Sequence, residues 1–153
     1  VKSKLYIVFR LNEEEYGIEI AYAQEILRMP DHLTHLPNMP AYVEGVINIR
    51  GKVIPVIDLK KRFDLKTIEE STERRLIILN FNNTLLAVVI DDVSEIVNIE
   101  EDTIQNVNSI ISQLGQNCLA GIGRIEQRLI LLLDVLKLNT EIFAYQFEME
   151  EIK

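Results

Sequence analysis

Short apolar runs rich in β-branched residues recur along the whole chain, at Leu5–Phe9, Val46–Ile49, Val53–Ile57, Leu76–Leu79, Leu85–Ile90 and Leu129–Leu133. Their length and composition predict strands, and so many short strands in one chain predict an all-β barrel or sandwich. Between two of them, Arg50-Gly51-Lys52 offers a glycine where a tight hairpin needs positive φ, so Val46–Ile49 and Val53–Ile57 are expected to pair antiparallel. That puts Arg50 at an exposed hairpin tip. Pro55 lies inside the second strand and has no N–H for a ladder, which predicts an edge strand or a bulge and an incomplete barrel there.

Helical signals are brief. Ile20–Leu27 reads as about two turns, and Asp58 and Asp134 each stand where a short turn after a strand needs a cap. From Thr140 onward, Ile142, Phe143, Tyr145, Phe147, Met149 and Ile152 mix helical and alternating spacing, with Glu141 suited to a first turn. A C-terminal helix is expected there. Met29–Met39, which holds Pro30, His32, His35 and Pro37, reads as an irregular loop.

The chain also repeats itself. Aligned without gaps, Gly45–Leu59 matches Gly121–Val135 at Gly45/Gly121, Ile49/Ile125, Ile54/Ile130 and Asp58/Asp134. Upstream, the spacing from Ile20 to Glu25-Ile26 recurs from Ile90 to Glu95-Ile96. Two units of ~70 residues are implied, each too small to bury much core alone, so they are expected to pack tightly as one module. The boundaries between them are expected near residues 15, 80 and 135, with the chain ends and the middle interleaved.

At 153 residues and 48% hydrophobic content, the chain has enough apolar material for one folded domain. A net charge of −8 argues against a polyanionic partner, so no nucleic-acid binding is expected. The single cysteine, Cys118, forms no internal disulfide, which fits a reducing compartment. The longest aliphatic run, Leu85–Ile90, is far short of the ~20 residues of a spanning helix, and Val1–Lys4 lacks the order of a secretory signal.

Candidate chemistry is sparse. His32 and His35 have metal-like spacing, but they sit in a proline-bounded loop without a third ligand and read as solvated. Cys118 reads as a small buried apolar residue, and Asp91-Asp92 as turn and cap, since the run lacks the glycine and alternating oxygens of a calcium loop. No phosphate loop, nucleophile elbow or kinase motif is present. No catalytic residue, metal or cofactor is therefore expected. Arg50 stands out instead, because a long cation on a rigid tip suits bidentate contact with a partner's carboxylate or carbonyls. Glu25 would form a surface ion pair with it if the fold brought the two together.

Glu14–Ile18, Gln24–Ile26, the Pro40 to Gly45 spacing, Asn48-Ile49-Arg50-Gly51 and Pro55 to Asp58-Leu59 together resemble the CheW family. The similarity continues through Asp91–Val93, Leu119–Gly123 and Asp134-Val135. The resemblance implies two intertwined SH3-like five-stranded β-barrel subdomains with short helices, and no catalysis. It implies a cytoplasmic adaptor, monomeric alone and recruited to membrane receptor arrays, that couples chemoreceptor tips to the histidine kinase CheA. The matching receptor-side positions are Glu25, Ile26, Gly45, Asn48, Arg50 and Gly51. The loop from Gln105 to Asn117 matches a family loop that contacts the kinase regulatory domain. Gln105 and Ile110 replace the arginine and aromatic residues of some relatives there, and Ile110 and Ile111 are candidate apolar anchors. The rival readings are an adaptor of a non-flagellar chemosensory system and a small metal- or ligand-binding barrel using His32, His35 and Cys118.

Overall fold

A computed structural model describes residues 2–66, 74–106 and 118–138. Ten strands make up most of it: β1 (Ser3–Leu11), β2 (Glu14–Glu19), β3 (Ala23–Arg28), β4 (Val43–Ile49), β5 (Lys52–Asp58), β6 (Arg75–Phe81), β7 (Thr84–Ile90), β8 (Asp92–Glu100), β9 (Leu119–Ile125) and β10 (Arg128–Leu133). They form two five-stranded sheets, ordered β8-β1-β2-β10-β9 and β3-β6-β7-β5-β4. The two orders are the same arrangement used twice. In each, a hairpin (β1-β2 or β6-β7) has an outer strand on one side and, on the other, a second hairpin whose later strand runs parallel to it.

The strand that follows each first hairpin does not join it. β3 follows β1-β2 but pairs with β6 of the second sheet, and β8 follows β6-β7 but pairs with β1 of the first. The two sheets therefore trade outer strands, which is the intertwining that the resemblance implied.

This exchange corrects the helical reading of Ile20–Leu27. Only Ile20–Tyr22 forms a single 3-10 turn, and Ala23–Arg28 is β3. The segment's alanines, Gln24 and Glu25 favour helix intrinsically, but β6 would otherwise present an open edge, and pairing with it outweighs propensity. Pro55 also needs correction. β5 lies between β7 and β4 rather than at an edge, and the register shift in its ladder with β4 falls between Val43 and Gly45. The parallel ladder to β7 starts at Val56, so Pro55 costs it no rung.

Apolar runs rather than alternation mark β1, β6 and β7 because both faces of these strands are covered. In β6, Leu76 and Ile78 belong to the core of the second sheet with Ile54, Val56, Ala87 and Val89, while Ile77 and Leu79 turn to a core shared between the sheets. In β1, Tyr6 and Val8 face their own sheet's core, and Ile7, Phe9 and Leu11 the shared one. Each fully buried aliphatic side chain contributes about 1.5–3 kcal/mol, so the shared core binds the two halves into one unit.

The expected caps form. Asp58 Oδ1 accepts from Lys60 N at 2.9 Å at the start of the short helix α1 (Leu59–Arg62), and Asp134 Oδ1 accepts from Lys137 N at 3.1 Å where residues 135–138 are helical. The expected helix from Thr140 lies outside the described residues.

Directional contacts between the sheets gather on α1. Lys60 Nζ meets Asp91 Oδ1 at 2.7 Å with both side chains under a tenth exposed, and Asp91 Oδ2 also accepts from Asn12 N in the β1-β2 turn. Arg62 donates to Cys118 Sγ at 3.4 Å. Phe63 stacks on Tyr16 of β2 at 5.8 Å, and Tyr16 in turn on Phe9. At Gly45, φ is +147°, and a Cβ there would run into the Thr34 carbonyl. Thr34 exchanges two backbone hydrogen bonds with Val46, which pins the 29–42 connection against β4.

Two stability predictions follow from these contacts. Gly45→Ala is expected to cost about 1–3 kcal/mol in urea unfolding, from backbone strain and displacement of Thr34. Lys60→Met alone leaves the buried Asp91 carboxylate without its counter-charge and is expected to cost ~3–5 kcal/mol. The double change K60M/D91L should recover the part of that loss due to the unpaired charge, though not the hydrogen bond from Asn12 N, and a double variant as unstable as the single would refute the buried-pair account.

Candidate functional site

Ile49 pairs with Lys52, leaving Arg50 and Gly51 as a two-residue hairpin loop. Both have positive φ, 50° and 82°, the signature of a type I′ turn. Asn48 Oδ1 accepts from Gly51 N at 3.0 Å and braces it. Asn at the first turn position would adopt this conformation at less cost than Arg, since L-residues with a Cβ resist left-handed backbone by ~1–2 kcal/mol. The sequence keeps a cation there despite that strain.

Arg50 reaches from this tip to β3, at the far end of the same sheet's strand order, and its guanidinium donates to Glu25. The fold thus brings the two together, the condition on which their ion pair depended. Its two side chains differ in exposure, 68% for Arg50 and 24% for Glu25. Glu25 is thus the seated partner, and Arg50 keeps donor groups facing solvent. A groove of about 230 Å³ opens between β3 and β4, lined by Leu27, Arg28, His32, Val46 and Ile49 among others.

The remaining receptor-side candidates divide. Asn48 and Gly51 shape the tip. Gly45 is buried beneath Thr34 and acts through the backbone. Ile26 is 41% exposed, but period-two alternation turns it to the opposite face of β3 from Glu25, so the fold does not gather it with Arg50.

The duplicated hairpin in the first sheet is built differently. Its tip is Glu126-Gln127, with Glu126 also at positive φ. Arg128, the counterpart of Lys52, is clamped between two carboxylates. Its Nε lies 3.1 Å from Glu15 Oε1, with a second bond from Nη2 to the same carboxylate, and Nη1 is 2.5 Å from Glu95. These hydrogen bonds hold the Glu15 carboxyl below its ordinary range against the opposing effect of partial burial. Sequence reasoning missed this cluster. The repeat contained the signal, since it sets Glu95 at the position of Glu25.

Of the candidates for a kinase contact, Gln105 is exposed and held to β9 by two backbone bonds with Ile122, at 2.9 and 2.8 Å. It belongs with the first sheet, whereas Arg50 belongs with the second. Beside it Leu129 is 61% exposed. Ile110 and Ile111 lie outside the described residues.

His32 and His35 are exposed in their loop, while Cys118 is buried and engaged by Arg62. No three His, Cys, Asp or Glu side chains come together as a metal site among the described residues. No described helix is long and apolar enough to cross a membrane.

Comparison with known proteins accords with this architecture. The family model for the CheW-like domain matches residues 5–142. The chemotaxis protein CheW of Klebsiella aerogenes is 33% identical over 133 residues, covering 87% of this chain and 80% of the relative. That of Treponema pallidum is 34% identical over 136 residues, covering 86% and 79%. The crystal structure of a scaffolding protein, TtCheW from Thermoanaerobacter tengcongensis, superposes with a TM-score of 0.77 at 31% identity, covering 87% of this chain and 85% of that one. The chain belongs to the CheW-like domain family.

Proposed function

We propose that the protein is a non-enzymatic chemotaxis adaptor in the cytoplasm that couples chemoreceptor tips to the histidine kinase CheA. Its close relatives carry the name of a chemotaxis protein and its structural neighbour is a scaffolding protein. The observation that carries the finer reading is Arg50, an arginine kept in a strained, exposed turn and oriented by Glu25. A guanidinium presented in this way has donors left over for a carboxylate or for the carbonyls at the turn of a helical hairpin.

In this reading Arg50, Glu25 and Asn48 form the receptor contact, Gly45 and Gly51 give the backbone its shape, and Ile26 adds an apolar contact from the other face of β3. Gln105, with Ile110 and Ile111, serves the kinase regulatory domain. The two partners then dock on different sheets, and the adaptor works by holding them in fixed relative geometry. Neither contact requires a cofactor.

Arg50→Ala is expected to weaken binding to a chemoreceptor's cytoplasmic helical hairpin by about 1–2 kcal/mol in titration calorimetry. Binding to a CheA regulatory domain and the melting temperature should stay close to wild type. An unchanged receptor affinity, or a large fall in Tm, would remove Arg50 from the contact.

A further inference from the structure

The receptor-side and kinase-side positions lie on different sheets, and the contacts that join those sheets are not spread evenly. β5 begins one residue after the Arg50-Gly51 turn and runs without a linker into α1. At ~3.3 Å per residue this seven-residue strand is a rod of about 23 Å between the hairpin tip and the helix. From α1 and the residue after it, three side chains reach toward the first sheet: Lys60 to Asp91 at the β7–β8 junction, Arg62 to Cys118 just ahead of β9, and Phe63 onto Tyr16 of β2. Beyond them, Asn12 of the β1-β2 turn donates to the Lys66 carbonyl at 2.7 Å.

Two of those targets occupy particular places. Asp91 immediately precedes β8, and Cys118 immediately precedes β9. β8 leads through the 3-10 turn Glu101–Thr103 to Gln105, and Gln105 is tied back to Ile122 of β9. Gly121 is packed so closely there that a Cβ would come within 2.9 Å of the Gln105 carbonyl. α1 therefore grips the roots of both strands that frame Gln105. The apolar core between the sheets resists separation but is non-directional, whereas a buried ion pair and a ring stack fix orientation.

Building on the adaptor reading, we infer that α1, through Lys60, Arg62 and Phe63, is the positioning element that carries displacement of the Arg50 hairpin to the strands holding Gln105. Receptor and kinase binding are then interdependent. Each partner biases the same rigid element, and by linkage the effect is equal in both directions. These residues touch neither partner.

The test uses the full chain with two probes, a chemoreceptor's cytoplasmic helical hairpin and a CheA regulatory domain. Each is titrated alone and then with the other saturating. In the wild type, occupancy of one face should change affinity for the other roughly fivefold or more, equally in both orders of addition. In K60M/D91L and in F63L, each partner alone should bind within about twofold of wild type while the coupling ratio falls toward one. Variants that keep the full ratio overturn the inference, as does a wild-type ratio of one with both partners bound, which leaves the adaptor reading standing. Wild-type binding to neither partner sinks that reading and the inference with it. Should the variants fail to fold, hydrogen exchange on the wild type decides. Receptor binding should change protection of the Gln105 and Ile122 amides, and unchanged exchange at both overturns the link.

Discussion

The exchange of outer strands between the sheets is the constraint on which the rest of this structure depends. β3 and β8 each leave the hairpin they follow and complete the opposite sheet, so the first sheet is assembled from strands on both sides of the contiguous stretch that makes the second. β1, β6 and β7 then have two covered faces, one toward their own sheet's core and one toward the shared core. The same exchange sets the function-bearing geometry. It places Glu25 where the β4-β5 tip can reach it, and it seats Asp91, at the return crossing, where Lys60 can meet it.

The two sheets share one strand arrangement but offer different surfaces. Both hairpins carry a strained residue at the first turn position, and both have a glutamate on the donated strand. In the first sheet the nearby arginine is held between Glu15 and Glu95 and has little left to offer a partner. In the second, Arg50 has one carboxylate and most of its surface in water. An unsaturated cation beside a saturated one is the difference between a recognition element and a brace.

Much of this was legible from the residues. The Arg50-Gly51 turn, the caps at Asp58 and Asp134 and the paired β4-β5 and β9-β10 units were all encoded locally, in turn chemistry and in strand-length apolar runs. What failed was non-local. Ala23–Arg28 is helix-like in composition, and only the unfilled edge of β6, some fifty residues later, makes it a strand. Pro55 was read as an edge signal because sequence cannot say where a parallel ladder begins. The Arg128 cluster escaped because Glu15, Glu95 and Arg128 come from three distant segments, and charge alone gives no reason to join them.

The strand exchange also governs how the chain must emerge from synthesis. Val8 finds its β8 neighbour only at Glu95, and Tyr16 its parallel neighbour only at Leu131. The second sheet, β3 to β7, is contiguous in the chain and can assemble as soon as Ile90 has been made. The opening hairpin can cover Ile7, Phe9 and Leu11 against that sheet, but the face holding Tyr6 and Val8 waits for β8 and β10. The interval between completing β7 and completing β10 is thus the one in which the partners of the opening hairpin are still missing.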